Sequence, residues 1–312
     1  MLHAMTDRLI KAFTMKLLAA LLLMAAVLAC LPGSAEATER VERRIMVGDI
    51  ERHYIAHVPA DAASRDELSV LFVFHPAVTN AEGFERIATL FEEPGAEDFL
   101  IIFPNGVGRT WNTVDCCGLA QQQNVDDLAF IEAIFNDAAS FGVISEKRNF
   151  ATGFSNGAGM THFLACNMPE RFSAIAPAGG KRDMNESCAD TTSPVSVFIT
   201  HGLDDKLSPF EGWQKVVDEI EPAPSVEDLA AYWSSANQCQ EQRTSTRLGD
   251  INCDEAVACA GESLVITCPI PNMGHWWPGY ATSQHWATIM YGPARPDIPA
   301  AREILEFFRQ HL

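Results

Sequence analysis

Short apolar runs alternate with helix-like segments along most of the chain. Continuous apolar runs of four to eight residues are typical of strands that are buried on both faces of a sheet. The predicted strands are 68–74, 99–103, 149–153, 195–200 and 264–270, and the predicted helices are 81–90, 126–141, 157–166 and 226–236. This alternation predicts an α/β fold with a mostly parallel central sheet and helices on both faces.

Two regions depart from that alternation. Residues 44–46 and 53–58 are strand-like and are separated by Gly48 and Asp49, which is typical of an antiparallel hairpin at the N-terminal side of the sheet. Residues 238–261 are polar and contain three cysteines, which predicts an excursion held by disulfides. No repeat or linker divides the sequence, so residues 38–312 are predicted to form a single domain.

The first 37 residues have the pattern of a processing signal. Three basic residues precede an unbroken apolar run at 17–31, which is shorter than the roughly 20 residues that a membrane span needs. Small residues before Thr38 fit a signal peptidase site, so residues 1–37 are predicted to be removed and the protein to be secreted or periplasmic. The alternative is lipoprotein processing with a lipid anchor at Cys30.

Charge narrows the class of protein. Asp and Glu number 41 against 22 Lys and Arg, for a formal charge of −19. Such a chain repels phosphate backbones and anionic lipids, so neither nucleic acid nor a membrane surface is an expected partner. Neutral molecules are therefore better candidates for what the protein binds.

Cysteine spacing points to disulfides. Eight of the 9 cysteines follow the predicted signal peptide, and an even number in an exported protein predicts up to four disulfides. The expected pairs are Cys166–Cys188 and a local group within 239–268, whereas adjacent Cys116 and Cys117 are expected to have different partners. No Cys-x-x-Cys sequence occurs, and no metal or cofactor is expected.

A serine occupies the turn between a predicted strand and a predicted helix. Residues 153–157 read GFSNG, a Gly-x-Ser-x-Gly sequence. In α/β-hydrolases this turn exposes a nucleophile at the carboxyl edge of the sheet, beside the amides of a helix N-terminus. Ser155 is therefore predicted to be a nucleophile. The competing interpretation is a structural serine in a glycine-rich turn.

A nucleophilic serine needs a base, and the base needs an orienting acid. In this fold the acid and then the base follow the serine along the chain. Asp204 and Asp205 follow predicted strand 195–200, and His275 follows predicted strand 264–270, so all three lie at the expected edge. Spacing alone does not distinguish the two aspartates.

Other titratable residues have competing assignments. His285 and His311 also follow the aspartates and are the alternatives to His275 as the base. His162 and His201 are expected to pack or to form local hydrogen bonds. Asp126 and Asp127 precede the serine and are expected to cap a helix or bond locally.

Three motifs resemble the secreted poly(3-hydroxybutyrate) depolymerase and feruloyl esterase group, which includes LpqC-like esterases. They are FSNGAGM at 154–160, HGLDD at 201–205 and GHWWPG at 274–279, and the similarity extends over about 43–311. The group's His-Gly-x-x-Asp pattern implies Asp205 as the acid, and its Gly-His-x-Trp-Pro-Gly pattern implies His275 as the base. The resemblance also implies the α/β-hydrolase fold.

The chain departs from the group's pattern at two places. His75-Pro76 stands where the group has His-Gly, and proline has no amide hydrogen to donate. The expected oxyanion donors are therefore the amides of Asn156 and Ala77. Trp276 stands where the group often has a small polar residue; with Trp111 and His75 it is predicted to contact substrate, and packing is the alternative.

These observations together predict a secreted serine carboxylesterase. Ser155, His275 and Asp205 are expected to hydrolyse neutral esters through an acyl-enzyme, without cofactor or metal. The expected substrates are polyhydroxyalkanoate, feruloyl or acetyl esters, polymers included. The alternatives are a secreted peptidase or thioesterase of the same fold, and a weakly active homologue that binds carbohydrate or polymer.

Overall fold

The computed structural model describes residues 38–113, 118–182, 184, 188, 193–212, 223–240, 242–282 and 284–312. The predicted signal peptide, the lipid-anchor alternative at Cys30 and the Cys116–Cys117 pair lie outside the described residues. Residues from Thr38 to Leu312 belong to one unit. None of its described helices is both long and apolar enough to span a bilayer.

Ten strands in the described part of the chain form one sheet. They are β1 Glu39–Val47, β2 Ile50–Val58, β3 Ser69–Phe74, β4 Phe99–Pro104, β5 Asn149–Phe154, β6 Phe172–Ala178, β7 Ser196–Gly202, β8 Arg243–Leu248, β9 Ile251–Ala256 and β10 Val265–Ile270. Their order is β1-β2-β4-β3-β5-β6-β7-β10-β9-β8. The six strands from β4 to β10 in that order are parallel, and the strands at both edges are antiparallel. The predicted mostly parallel sheet and N-terminal hairpin are confirmed.

Helices cover both faces of this sheet. They are α1 Ala81–Ala88, α2 Leu119–Gln122, α3 Asp127–Ala138, α4 Asn156–Asn167, α5 Val226–Ala236, α6 His285–Tyr291 and α7 Ala300–Arg309. Alternate residues of β3 enter opposite cores, so Phe72 packs in the core with α3, α4 and α5, and Leu71 packs in the core with α1 and α7. Because both faces are buried, β3 and β4 consist almost entirely of apolar residues, as the sequence predicted.

Polar side chains fix where two of these helices begin. The Asn80 carboxamide accepts a hydrogen bond from the Gly83 amide at 2.9 Å, and the Asp126 carboxylate accepts one from the Ala129 amide at 2.9 Å. The capping role predicted for Asp126 is thus confirmed. Asp127 differs from the expectation of a local bond, because its buried carboxylate binds Arg52 at 2.8 Å, 75 residues away.

The polar segment at 238–261 contains a hairpin, β8–β9, that extends the sheet beyond β10. Disulfides join Cys239 to Cys259 and Cys253 to Cys268, and a third joins Cys166 to Cys188. These pairs confirm the predicted disulfide groups and fit an oxidising compartment. The sequence did not predict the β8–β9 hairpin or strand β6, because β8 is mostly exposed and polar and β6 is rich in small residues.

Candidate active site

Ser155 lies at the tip of the turn between β5 and α4. Its backbone has φ 55° and ψ −121°, a conformation that is strained for a residue with a side chain. The flanking glycines make the turn possible, because a Cβ at Gly153 would meet the Gly157 carbonyl oxygen and a Cβ at Gly157 would meet that of Phe74. The Ser155 amide donates to the Ala178 carbonyl on β6 at 3.0 Å, which anchors the turn.

The structure brings Ser155, His275 and Asp205 into one hydrogen-bonded series. His275 Nε2 lies 2.9 Å from Ser155 Oγ, and His275 Nδ1 lies 2.7 Å from Asp205 Oδ2. The residues are 120 and 70 positions apart in the chain, and they meet because β5, β7 and β10 end at the same edge of the sheet. Both the imidazole and the carboxylate are buried.

The surroundings of Asp205 keep its carboxylate ionised. Oδ1 accepts hydrogen bonds from the amides of Leu207 and Ser208 at 2.9 and 2.7 Å. Burial acts to raise the pKa of Asp205, but the hydrogen bonds from His201 and His275 outweigh it and lower that pKa below its usual value. An ionised carboxylate accepts a hydrogen bond from Nδ1–H, which fixes the proton on Nδ1 and leaves Nε2 of His275 as the acceptor for the Ser155 hydroxyl.

The two neighbouring aspartates have different environments. Asp205 is buried against His275, whereas Asp204 is exposed to solvent. The structure also reveals a contact that the sequence did not predict, since His201 Nε2 lies 3.4 Å from Asp205 Oδ2 while donating to the Ser208 carbonyl at 2.6 Å. His201 therefore contacts the Asp205 carboxylate in addition to forming the local hydrogen bond that was expected of it.

The segment that carries His275, residues 271–282 and here called the β10 loop, is anchored to the end of α6. The His275 amide donates to the Tyr291 carbonyl at 2.6 Å, and the Gly274 amide donates to the Pro293 carbonyl at 2.7 Å. A Cβ at Gly274 would overlap the Tyr291 carbonyl oxygen, so glycine permits this approach. The end of α6 thus sets the position of the imidazole.

On the other side of Ser155, residues 75–80, here called the β3 loop, are joined to the segment after β4. His75 Nε2 accepts from the Gly106 amide at 3.0 Å, and its Nδ1 donates to the Pro76 carbonyl at 2.9 Å. Nε2 can accept only when it carries no proton, so the imidazole is neutral, in agreement with burial, which lowers the pKa of His75 to about 4. The ring therefore acts as a neutral bridge.

A second link in the β3 loop joins Val78 to Arg109. The Val78 amide donates to the Arg109 carbonyl at 3.1 Å, and Arg109 Nη1 donates to the Val78 carbonyl at 3.0 Å. Val78 has φ 66°, which is strained for a β-branched residue. None of the described residues accepts a hydrogen bond from the amide of the preceding Ala77. Arg109 was not identified from the sequence, because the spacing of Gly106 and Gly108 around it does not indicate that it binds Val78.

The three residues predicted to contact substrate have unequal exposure. His75 and Trp111 are completely buried, so the expected contact with substrate is corrected for both. Trp111 packs edge-on against Phe74 and its Nε1 donates to the His75 carbonyl at 2.9 Å, which makes it a support of the β3 loop. Trp276 is half-buried and stacks on Tyr280 with ring centroids 5.7 Å apart, so part of the residue stays accessible.

The remaining histidines lie apart from this series. His285 is exposed at the start of α6, and His311 packs edge-on against Phe307. His162 lies in the core, where its Nδ1 accepts from Trp233 Nε1 at 3.1 Å, in agreement with the packing role expected for it. In the part of the chain that the structure describes, no three His, Cys, Asp or Glu side chains are grouped as a metal site requires.

Comparisons with known proteins agree with the fold. No family model matches the chain. The chain is 27% identical to a probable feruloyl esterase C from Aspergillus niger over 54% of its own length and 60% of that protein. It is 22% identical to feruloyl esterase B from Piromyces equi over 72% of its own length and 42% of that protein. The chain thus spans about half the length of these relatives.

Among solved structures, the chain is similar to an acetyl xylan esterase from Aspergillus awamori. The TM-score is 0.55 at 14% identity, and the match covers 80% of this chain and 97% of the other. At this identity the likeness concerns the fold, and it confirms the predicted α/β-hydrolase fold. The predicted resemblance to feruloyl esterases is confirmed as well, while its poly(3-hydroxybutyrate) depolymerase part stays a prediction.

Proposed function

We propose that the chain is a serine carboxylesterase whose catalytic residues are Ser155, His275 and Asp205. One observation carries the proposal: a strained serine, a histidine and a buried carboxylate are joined at 2.9 and 2.7 Å. In this series the ionised Asp205 carboxylate accepts the hydrogen bond from Nδ1–H of His275, and Nε2 accepts the hydrogen bond from the Ser155 hydroxyl. This is the arrangement that activates a serine nucleophile.

The reaction proceeds in two halves. Ser155 Oγ attacks the ester carbonyl carbon while His275 Nε2 takes the hydroxyl proton, and the tetrahedral intermediate collapses as Nε2 gives that proton to the leaving alkoxide. Water then attacks the acyl-enzyme, Nε2 takes its proton, and the acid leaves as the proton returns to Ser155. Asp205 keeps the imidazole oriented and stabilises its charged form in both halves.

The tetrahedral intermediate carries an oxyanion that needs hydrogen-bond donors. We assign these donors to the backbone amides of Asn156, the first residue of α4, and Ala77 in the β3 loop. The Asn156 carboxamide is linked to the Trp111 backbone at 2.7 Å, and this link ties the start of α4 to the segment after β4. Donors held in this way need no reorganisation when charge develops.

Neutral esters are the proposed substrates. The relatives are named feruloyl esterases and the structural neighbour an acetyl xylan esterase, which supports feruloyl or acetyl ester bonds in place of amides. Polyester bonds are proposed from the motifs of the sequence alone. The formal charge of −19 disfavours anionic substrates. Trp276, which is half-buried, is proposed to contact the bound ester. The proposed reaction uses no cofactor or metal.

The protein is proposed to act outside the cytoplasm as a single catalytic domain at 38–312. The three disulfides support this location, because such bonds persist in oxidising compartments. Removal of residues 1–37 as a signal peptide is part of the same proposal.

Hydrolysis of p-nitrophenyl acetate tests the proposed function. We expect the wild type to turn over and Ser155→Ala to lose about 10⁴-fold or more in kcat, because the nucleophile is gone. Ser235→Ala, an exposed serine on α5, is the matched control and should keep wild-type turnover. Equal turnover by Ser155→Ala, or release from a peptide amide but not from the ester, would contradict the proposal.

A further inference from the structure

The segment that follows β6 lies against the turn of the proposed nucleophile. Strand β6 is between β5 and β7 in the sheet and parallel to both, so its last residue, Ala178, lies at the same edge as Ser155. The Ser155 amide donates to the Ala178 carbonyl, and a Cβ at Gly180 would be 2.2 Å from the Ser155 carbonyl oxygen. The next residue, Lys181, therefore belongs to a backbone segment that packs directly on the turn at Ser155.

The side chain of Lys181 reaches the loop that carries the proposed acid, residues 203–210, here called the β7 loop. Lys181 Nζ donates a hydrogen bond to the Pro209 carbonyl at 2.5 Å. The same carbonyl accepts a hydrogen bond from the Gly212 amide at 2.8 Å. Lys181 thus joins the end of β6 to a turn at the end of the β7 loop.

The position of the Asp205 carboxylate depends on that end of the β7 loop. Its Oδ1 accepts hydrogen bonds from the amides of Leu207 and Ser208, the two residues before Pro209. The Ser208 carbonyl in turn accepts from His201 Nε2 at 2.6 Å. Two consecutive carbonyls of the loop are therefore held by side chains from the ends of β7 and β6. A shift of this backbone would move the carboxylate relative to the imidazole that it orients.

Lys181 carries its charge into a half-buried position. The acidic groups that face it are Asp205 and Glu211, in and directly after the β7 loop, and Asp228 in the first turn of α5. The guanidinium of the neighbouring Arg182 lies over the Tyr232 ring, 4.4 Å from its centre. Burial lowers the pKa of Lys181 to about 8, against the attraction of the three carboxylates. The amine is thus charged at neutral pH and loses its proton in the alkaline range.

We propose that charged Lys181 is a positioning residue for the proposed acid, because it holds the Pro209 carbonyl and so keeps the Asp205 carboxylate against His275. This inference rests on the proposed esterase function and adds to it a residue that acts through Asp205. An ammonium forms a stronger hydrogen bond to a carbonyl than a neutral amine does, so the loop is held best while Lys181 keeps its proton. Turnover is therefore expected to fall as the pH rises through about 8.

Substitution of Lys181 tests this role, with p-nitrophenyl acetate as the substrate. Lys181→Met should lower kcat by about thirtyfold and leave KM within about twofold, because displacement of the acid affects the chemical step and not ground-state binding. Lys181→Arg retains a charged donor and should keep most of the turnover. Lys206→Met, which changes an exposed lysine of the same loop, is the matched control and should behave as the wild type. Equal kcat of Lys181→Met and Lys206→Met would overturn the inference.

The dependence of kcat on pH separates positioning by a charged group from a purely structural role. Between pH 7.5 and pH 9.5, with spontaneous hydrolysis subtracted, kcat of the wild type and of Lys206→Met should fall by about fivefold. Lys181→Arg stays charged over this range and should lose less than about twofold, while Lys181→Met should be low and flat. An alkaline fall of equal size in the wild type and in Lys181→Arg would overturn the inference.

A double-mutant cycle with Asp205 shows whether Lys181 acts through the acid. In the Asp205→Asn background there is no carboxylate to position, so Lys181→Met should change the remaining kcat by less than about threefold. The full loss in that background would mean a general structural effect and would overturn the inference. Thermal unfolding of each variant must match its parent, and Lys181→Gln replaces Lys181→Met if that variant does not fold. A wild type without turnover would contradict the esterase proposal, whereas full turnover of Lys181→Met beside an active wild type contradicts only the role of Lys181.

Discussion

The β3 loop and the β10 loop lie on opposite sides of Ser155 and are built differently. The β3 loop is fixed by a buried neutral histidine, a buried tryptophan and the backbone link between Val78 and Arg109. The β10 loop is anchored through the backbone of Tyr291 and Pro293 and carries the half-buried Trp276.

This difference separates two tasks within the proposed mechanism. Rigid support of the Ala77 amide serves a donor that must already be in place when charge develops on the substrate. The β10 loop has no charged residue and lies next in the chain to α6 with its exposed apolar residues, which suits contact with the substrate itself. Changes in the β3 loop are therefore expected to affect turnover and stability, and changes on the surface of the β10 loop to affect apparent affinity.

The largest expected effect concerns the acid that orients His275 of the β10 loop. Asp205→Asn should lower kcat by about 10⁴-fold, because the amide no longer favours the tautomer with the proton on Nδ1. Asp204→Asn changes an exposed neighbour and should stay within about twofold. Steady-state hydrolysis of p-nitrophenyl acetate measures both. Equal losses in the two variants would contradict the assignment of Asp205.

The next largest effect is the change of folding stability with pH that His75 of the β3 loop causes. Burial lowers its pKa to about 4, whereas an unfolded histidine has a pKa of about 6.5. Between these values the unfolded chain binds the extra proton, so this contribution to stability is full above about pH 6.5 and is lost as the pH falls towards 4.

Urea unfolding at pH 7 and pH 5 measures that contribution. The free energy of unfolding of the wild type should fall by about 2 kcal/mol more over this interval than that of His75→Gln. Between pH 8 and pH 7 the two proteins should change alike, which is the internal control. Identical changes between pH 7 and pH 5 would show that His75 is not a buried neutral bridge.

A smaller effect is expected from the link at Arg109. Arg109→Ala removes the hydrogen bond to the Val78 carbonyl and loosens the Ala77 amide without deleting it, so kcat should fall by about tenfold with KM little changed. Added guanidinium should restore part of the loss, which a general folding defect would not allow. Arg86→Ala, an exposed arginine on α1, should behave as the wild type.

The smallest effect is expected at the surface of the β10 loop. Trp276→Leu should raise KM for aryl and long-chain acyl esters by about threefold and leave kcat unchanged, because the flat contact surface is lost. Trp276→Phe retains a ring and should keep most of the affinity. A change in kcat that exceeds the change in KM would remove the distinction between the two loops.

Sequence reasoning predicted the parts of the molecule that depend on local pattern. The buried central strands, the turn at Ser155 and the loop positions of Asp205 and His275 follow from apolar runs and glycine positions. The choice between Asp204 and Asp205 was not available from spacing, because it depends on which side chain is turned towards His275.

Features that depend on contacts between distant segments were missed or wrong. Burial of Trp111 and His75 results from packing of the segment after β4 against the β3 loop, and no local pattern encodes it. The link between Val78 and Arg109 joins residues 31 positions apart. The exposed apolar side of α6 was not predicted, because which of its residues face solvent depends on how the helix packs on the rest of the fold.

Covalent labelling tests the central claim most directly. The wild type, treated with a fluorophosphonate and analysed by intact mass and peptide mapping, should carry one adduct per chain on Ser155 Oγ. Labelling should become far slower in His275→Ala, because the hydroxyl then lacks its base. A natively folded protein that gains no adduct, or gains it on another residue, would contradict the account.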